Sequence, residues 1–192
     1  MTAIFRQLRP PVMILLMFTL LTGFAYPAAI TAVAQAVFPT QANGSLIAVN
    51  GQAIGSSLIG QSFQQPKYFI GRLSAAGADG YDANASAGSN LGPTNQALIE
   101  RITQSVDTMR AANGNAPIPV DLVTTSASGL DADISPAGAG YQVARVARAR
   151  GISEDDVRAA VARHTEGPLL GFLGQARVHV LELNLDLDGL LR

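Results

Sequence analysis

Side chains able to do chemistry are scarce in this chain. It has two histidines, His164 and His179, and no cysteine. Two histidines without a thiol do not complete the common zinc ligand sets, so each reads as a half-buried structural residue. Without cysteine there is no disulfide and no thiolate nucleophile. No G-x-x-x-x-G-K-[ST], G-x-S-x-G or S-x-x-K run occurs, which removes the phosphate cradle and the usual settings of a serine nucleophile. Ser89 and Asn90 sit in Gly88-Ser89-Asn90-Leu91-Gly92, which is elbow-like but neither follows a strand pattern nor leads straight into a helix. Asp131 and Asp133, two residues apart, could pair as acid and base or hold a cation. The plainer role is to cap the helix that opens at Ser135-Pro136. Arg145, Arg148 and Arg150 crowd the end of that helix, where cations suit the dipole. A solvated helix end is the plainer reading there, and a phosphate or carboxylate site the sharper one.

The elements that must position these residues can be read from pattern. Residues 46–55 form a hairpin, two apolar runs about Asn50-Gly51. Residues 57–63 extend its second strand, and Tyr68, Phe69 and Ile70 suggest another. From residue 71 to 93 the chain is rich in Gly, Ala, Ser, Asn and Asp, and shows neither period. A loop that long in a compact domain is functional, ordered by a partner, or merely of low complexity. Residues 94–113 read as a helix with Leu98, Ile102, Val106 and Met109 on its core face, begun at Pro93-Thr94. Residues 117–124 suggest a strand. A helix follows Ser135 and stops at Gly151. Ser153 and the acidic turn after it open the next, with Val157, Ala160, Val161 and His164 inward. Residues 177–187 alternate as a half-buried strand, Leu181, Leu183, Leu185 and Leu187 against Glu182, Asn184 and Asp186. Val178 and Val180 have the opposite parity, which predicts a bulge or break near Val180.

What carries this domain is a charge-free run between Arg9 and Lys67. Residues 12–34 give ~35 Å of helix, enough for a hydrocarbon core of ~30 Å. Arg6 and Arg9 precede the span and no other basic residue occurs before Lys67. The positive-inside rule therefore puts residues 1–11 in the cytoplasm, 35–44 as a linker and 45–192 outside as one α+β domain. A cleaved signal peptide is the rival, but the apolar run exceeds a signal core of ~7–15 residues, and we read a retained anchor. At ~100° per residue, Thr19, Thr22, Gly23, Tyr26 and Pro27 share one face, continued by Ala34 and interrupted by Ile30 and Val33. Small and hydroxyl-bearing residues on one face suit a partner helix better than lipid. Beyond the span the charge is −3 and tryptophan is absent, which argues against nucleic acid.

Several ordered segments carry a resemblance: TGFAYP at 22–27, FPTQANGSL at 38–46, IGQSF at 59–63, YFIGR at 68–72, GSNLGPTN at 88–95, PVDLVTTSASGLD at 119–131, ISPAGAGYQVARVARARG at 134–151 and VLELNLDLD at 180–188. Together the chain resembles the C-subunit family of the Kdp potassium-transporting ATPases. Leu73 stands where the family commonly has proline, and Ala132 and Asp133 replace a Pro-His pair, so a role of that histidine does not carry over. The resemblance implies a non-catalytic accessory subunit of the bacterial inner membrane, single-pass, acting in assembly or stabilisation. Its implied partners are a potassium-channel-like subunit, a P-type ATPase subunit, a small helical subunit and the bilayer. It implies no cofactor on this chain, with ATP and K+ used by the complex. Candidate outer contacts are Ser89, Asn90, Asn95, Gly129, Leu130, Asp131 and Ser135. An anchored solute-binding module or hydrolase remains the alternative from residues alone.

Overall fold

The computed structural model describes residues 2–190. Met1, Leu191 and Arg192, the outermost residues of the expected cytoplasmic start and outer domain, lie outside them. The chain divides into two compact units, Met1–Leu46 and Ile47–Arg192.

The first unit is helical: α1 (Thr2–Leu20), a π-turn (Leu21–Ala25), α2 (Tyr26–Val37) and a short α3 (Pro39–Ala42). Arg6–Val37 is a continuous stretch of 32 residues, long and apolar enough to cross a membrane, with none of its side chains buried. The π-turn has a local cause. Pro27 has no N–H and its ring would crowd the carbonyl of Gly23 four residues earlier. The chain accommodates this by widening one turn, so that Tyr26 N–H donates to Leu21 O, five residues back. Thr22 Oγ1 donates to Phe18 O at 2.7 Å beside it. The helix ends at Phe38, whose φ of −133° leaves the helical region.

The second unit is α+β. The hairpin β1 (Leu46–Val49) and β2 (Gln52–Ser56) turns through Asn50 and Gly51, both at positive φ (52° and 79°), as a type I′ turn requires. Residues 57–63 do not extend β2. α4 (Gln96–Asn113) starts later than expected because Asn95, not Thr94, is its cap, its Oδ1 accepting from Ala97 N at 2.9 Å. Of its apolar stripe only Met109 is buried; Val106 packs partly, and Leu98 and Ile102 stay half-buried. The strand expected at 117–124 is instead a 3-10 turn, Val120–Leu122, that buries Leu122. β3 (Asp133–Ile134), β4 (Thr165–Glu166) and β5 (Arg177–His179) form an antiparallel sheet in the order β3-β5-β4. α5 (Pro136–Arg150) and α6 (Glu154–Arg163) are capped by Ser135 and Ser153 as expected, and Gly151 stops α5 at φ 69°.

The largest correction is α7 (Val180–Leu187), a helix where alternation predicts strand. The chain breaks at Val180, as the parity conflict requires, but then coils. Leu, Glu, Asn and Asp fill residues 181–188 with no β-branched side chain, so nothing local favours strand. The helix is buried nearly all round, with Val180, Leu181, Leu183, Asn184 and Leu185 each under 7% exposed. Its even spacing is a by-product of two buried faces. The core joins Phe69, Leu122, Ile134, Val143, Val146, Val157, Val178 and Leu183.

Residues 68–70 pair with no strand, and Tyr68 lies in a bend. Two buried carboxamides take the place of one. Asn184 accepts from Phe69 N (2.8 Å) and donates to Phe69 O (2.9 Å). Gln142 does the same for Ile70 N (2.8 Å) and O (3.1 Å). Arg145 donates to Pro66 O and Tyr68 O, and Arg150 to Lys67 O and Leu187 O. Both arginines are thus occupied internally, which rules them out as a solvated helix end.

Candidate functional site

The polar residues singled out by sequence converge in part. Asp131 and Ser135 line a cavity of about 250 Å³ together with Arg72, Asp121, Asp133 and Arg177. Asp131 Oδ2 meets Arg72 Nη1 at 3.1 Å, and its Oδ1 accepts from Asp133 N. Neither Asp131 nor Asp133 caps α5. That task belongs to Ser135, whose Oγ accepts from Gly138 N at 2.9 Å, and to Asp121, whose Oδ2 accepts from Ser135 N at 2.7 Å. A Cβ on Gly138 would stand 2.8 Å from Asp121 Oδ2, so the missing side chain is what lets this carboxylate approach the helix start. Asp121 had no signal in sequence except that glycine.

Asp133 faces His179 directly across β3 and β5. The Nδ1 of His179 lies 2.7 Å from Asp133 Oδ1, a close ionic approach whose angle is not that of a hydrogen bond, and its Nε2 is 3.3 Å from Glu166 Oε1. Arg177 closes the group, 2.7 Å from Glu166 Oε2 and 3.5 Å from Asp133 Oδ2. Burial pushes the Asp133 carboxyl above its ordinary range, against the pull of His179 and Arg177. The Arg177 bond holds Glu166 below its own. His164 is the second histidine pair, 3.0 Å from Asp186 Oδ2, which Arg163 also contacts at 2.7 Å. Both histidine side chains are about one-sixth exposed, at 16% and 15%. Among the described residues no three His, Asp or Glu gather closely enough to hold a metal ion. Every charge in the cavity wall is answered by a neighbour, and no hydroxyl there is paired with a base.

Gly129 and Leu130 brace the loops beneath. Gly129 is at φ 67°, where a Cβ would meet Ala87 O at 2.6 Å and Ala76 N at 2.8 Å. Leu130 O accepts from Gly60 N. The glycine-rich stretch 71–93 is therefore internally fastened. Ser74 Oγ donates to Gly129 O and accepts from Tyr81 N and Ala76 N. The Tyr81 hydroxyl donates to Arg72 O, and burial, then the charge of Asp131, pushes its pKa up to about 12. Ser89 is half-buried, Asn90 is exposed at φ 51°, and Asn95 serves as the α4 cap, so these three lie apart from the cavity.

On the first unit Thr19, Thr22, Gly23, Tyr26 and Pro27 are all exposed. The π-turn at Leu21–Ala25 falls among them. One extra residue in a turn rotates the C-terminal part of a helix against its N-terminal part by up to ~100°.

A family model for the K+-transporting ATPase c chain, KdpC, matches residues 8–189. The chain belongs to that family. Among its relatives, the potassium-transporting ATPase KdpC subunit of Sorangium cellulosum is 61% identical over 185 residues, covering 95% of this chain and 97% of the relative. The KdpC subunit of Koribacter versatilis is 58% identical, over 89% of this chain and 88% of its own. That of Polaromonas naphthalenivorans is 58% identical, over 95% and 94%. The expected family and the α+β architecture with one apolar N-terminal helix stand together.

Proposed function

We propose that this chain is a non-catalytic accessory subunit that assembles and stabilises a potassium-transporting ATPase. It is held in the membrane by Arg6–Val37, with the N-terminus cytoplasmic and the α+β unit outside. Family membership over residues 8–189 carries the reading. The cavity supports it, because its charged groups are spent on one another and on backbone, an arrangement that holds shape rather than turning over substrate. ATP and K+ are then handled by the partners, a channel-like subunit, a P-type ATPase subunit and a small helical subunit, and this chain carries no cofactor. The stretch carrying Thr19, Thr22, Gly23, Tyr26 and Pro27 packs on a partner helix, where small side chains allow close approach. Membranes from cells lacking this chain, solubilised in mild detergent, should yield partner subunits that no longer copurify. A pump that stays intact without it, altered only in its response to ATP or potassium, would sink the assembly role.

A further inference from the structure

The β4–β5 connection ends in an exposed apolar tip. From residue 167 to 176 it has no charged side chain, and its tip reads Pro168-Leu169-Leu170-Gly171-Phe172-Leu173-Gly174. Leu169, Leu170 and Phe172 are 70%, 76% and 74% exposed, and Leu173 is 49%. These four side chains show roughly 500 Å² of apolar surface in one place, within the range of the largest patch on a typical monomer, which is often functional. The tip is built rather than loose. Leu169 and Leu173 exchange both backbone hydrogen bonds at 2.9 Å, and Gly171 N donates to Pro168 O. Leu170 is held at φ 55°, a conformation that leucine rarely adopts and that aims its side chain outward. At the base, Arg177 and Glu166 neutralise one another at 2.7 Å.

We infer that this hairpin tip is a preformed knob that seats in an uncharged, apolar cleft of another subunit of the same pump. The inference rests on the assembly reading above. Charge and area argue for this occupant. A wholly neutral knob whose flanking charges cancel matches a cleft without charge. An area near 500 Å² is more than half of the ~800 Å² that one side of a standard interface buries. An anionic lipid surface is the weaker match, because the tip offers no lysine, arginine, tyrosine or tryptophan to the headgroups, and the paired Glu166 and Arg177 leave no net positive charge at its base.

The test uses the assembled pump in its membrane. A photoreactive phenylalanine analogue in place of Phe172 should crosslink to another pump subunit. Products with lipid alone, or with a second copy of this chain, would overturn the inference. In parallel, Leu170→Asn with Phe172→Ser keeps a residue that accepts positive φ and removes the apolar tip. Copurification of the partners should fall at least tenfold while the melting curve of the full chain stays in place. If the chain is required for assembly yet this variant assembles at wild-type yield, the knob is refuted and the assembly reading stands. If omitting the whole chain leaves the pump intact, the assembly reading itself is what fails.

Discussion

Residues 66–71 and residues 168–173 are both short connections outside regular structure, and they solve opposite problems. The first dips into the interior at Phe69 and Gly71, where a bare backbone N–H or C=O is costly, and four side chains from α5 and α7 answer it. The second bonds its own backbone across the tip and turns four apolar side chains outward. An irregular segment with imported partners is part of the core. One that satisfies itself and shows apolar side chains has been left for something else to cover. The glycine-rich stretch 71–93 belongs with the first kind, since Ser74, Tyr81 and Gly129 fasten it.

The contrast is sharpest at Asn184. Asn184→Leu leaves the N–H and C=O of Phe69 unpaired in the core, and should cost about 2–4 kcal/mol. Denaturant unfolding of the full chain in detergent measures it, and a loss below about 1 kcal/mol would remove residues 66–71 from the core class. Gly129→Ala should come next at about 1–3 kcal/mol, because the new methyl meets the backbone of Ala87 and Ala76. If it is silent in the same assay, the 71–93 stretch is not fastened as described.

Asp188 links the imported-partner region to acid stability. It takes bonds from Tyr68 and Arg150, with Lys67 near. Burial alone would raise its pKa, but those bonds and charges together bring it below 3.8. A folded value below the unfolded one means its contribution is present above pH 3.8 and lost as pH falls through the folded value. Asp133 has the opposite sign: burial raises it, so the stability linked to it is present below 3.8 and lost as pH rises through its folded value. Asp188→Asn should therefore flatten the acid limb of an unfolding series and cost about 1 kcal/mol at neutral pH. Asp133→Asn should not flatten it. Equal behaviour of the two variants would show that both carboxylates sit in equivalent surroundings. The smallest expected change is at the tip, where Leu170→Asn with Phe172→Ser should move stability by no more than about 0.5 kcal/mol. A large loss there would make the tip a piece of core and end the comparison.

Much of this was legible in the residues because it is decided within a few positions. The apolar length of the span, the Asn50-Gly51 turn, the serine caps at Ser135 and Ser153 and the stop at Gly151 each depend on neighbours that the chain places side by side. Asp131 and Ser135 were found as polar residues of one loop, and they do share a cavity wall. Their partners Arg72 and Asp121 come from elsewhere in the chain and leave no pattern around them. Even the π-turn is local in cause, yet ~100° per residue is a rule for unbroken helices, and Pro27 breaks it.

Tertiary packing decided the rest. Residues 180–187 alternate as a strand would, but burial on two faces of a helix places leucines at the same even spacing, and only the neighbours of α7 tell the two apart. Residues 68–70 look like a strand in sequence, but the hydrogen-bond partners of Phe69 and Ile70 are side chains 115 and 72 positions away. A bond between a side-chain amide and a distant backbone has no period, so no local reading can contain it. The exposure of Leu169, Leu170 and Phe172 is of the same kind. Sequence shows that they are apolar, and only the fold shows that nothing in their own unit covers them.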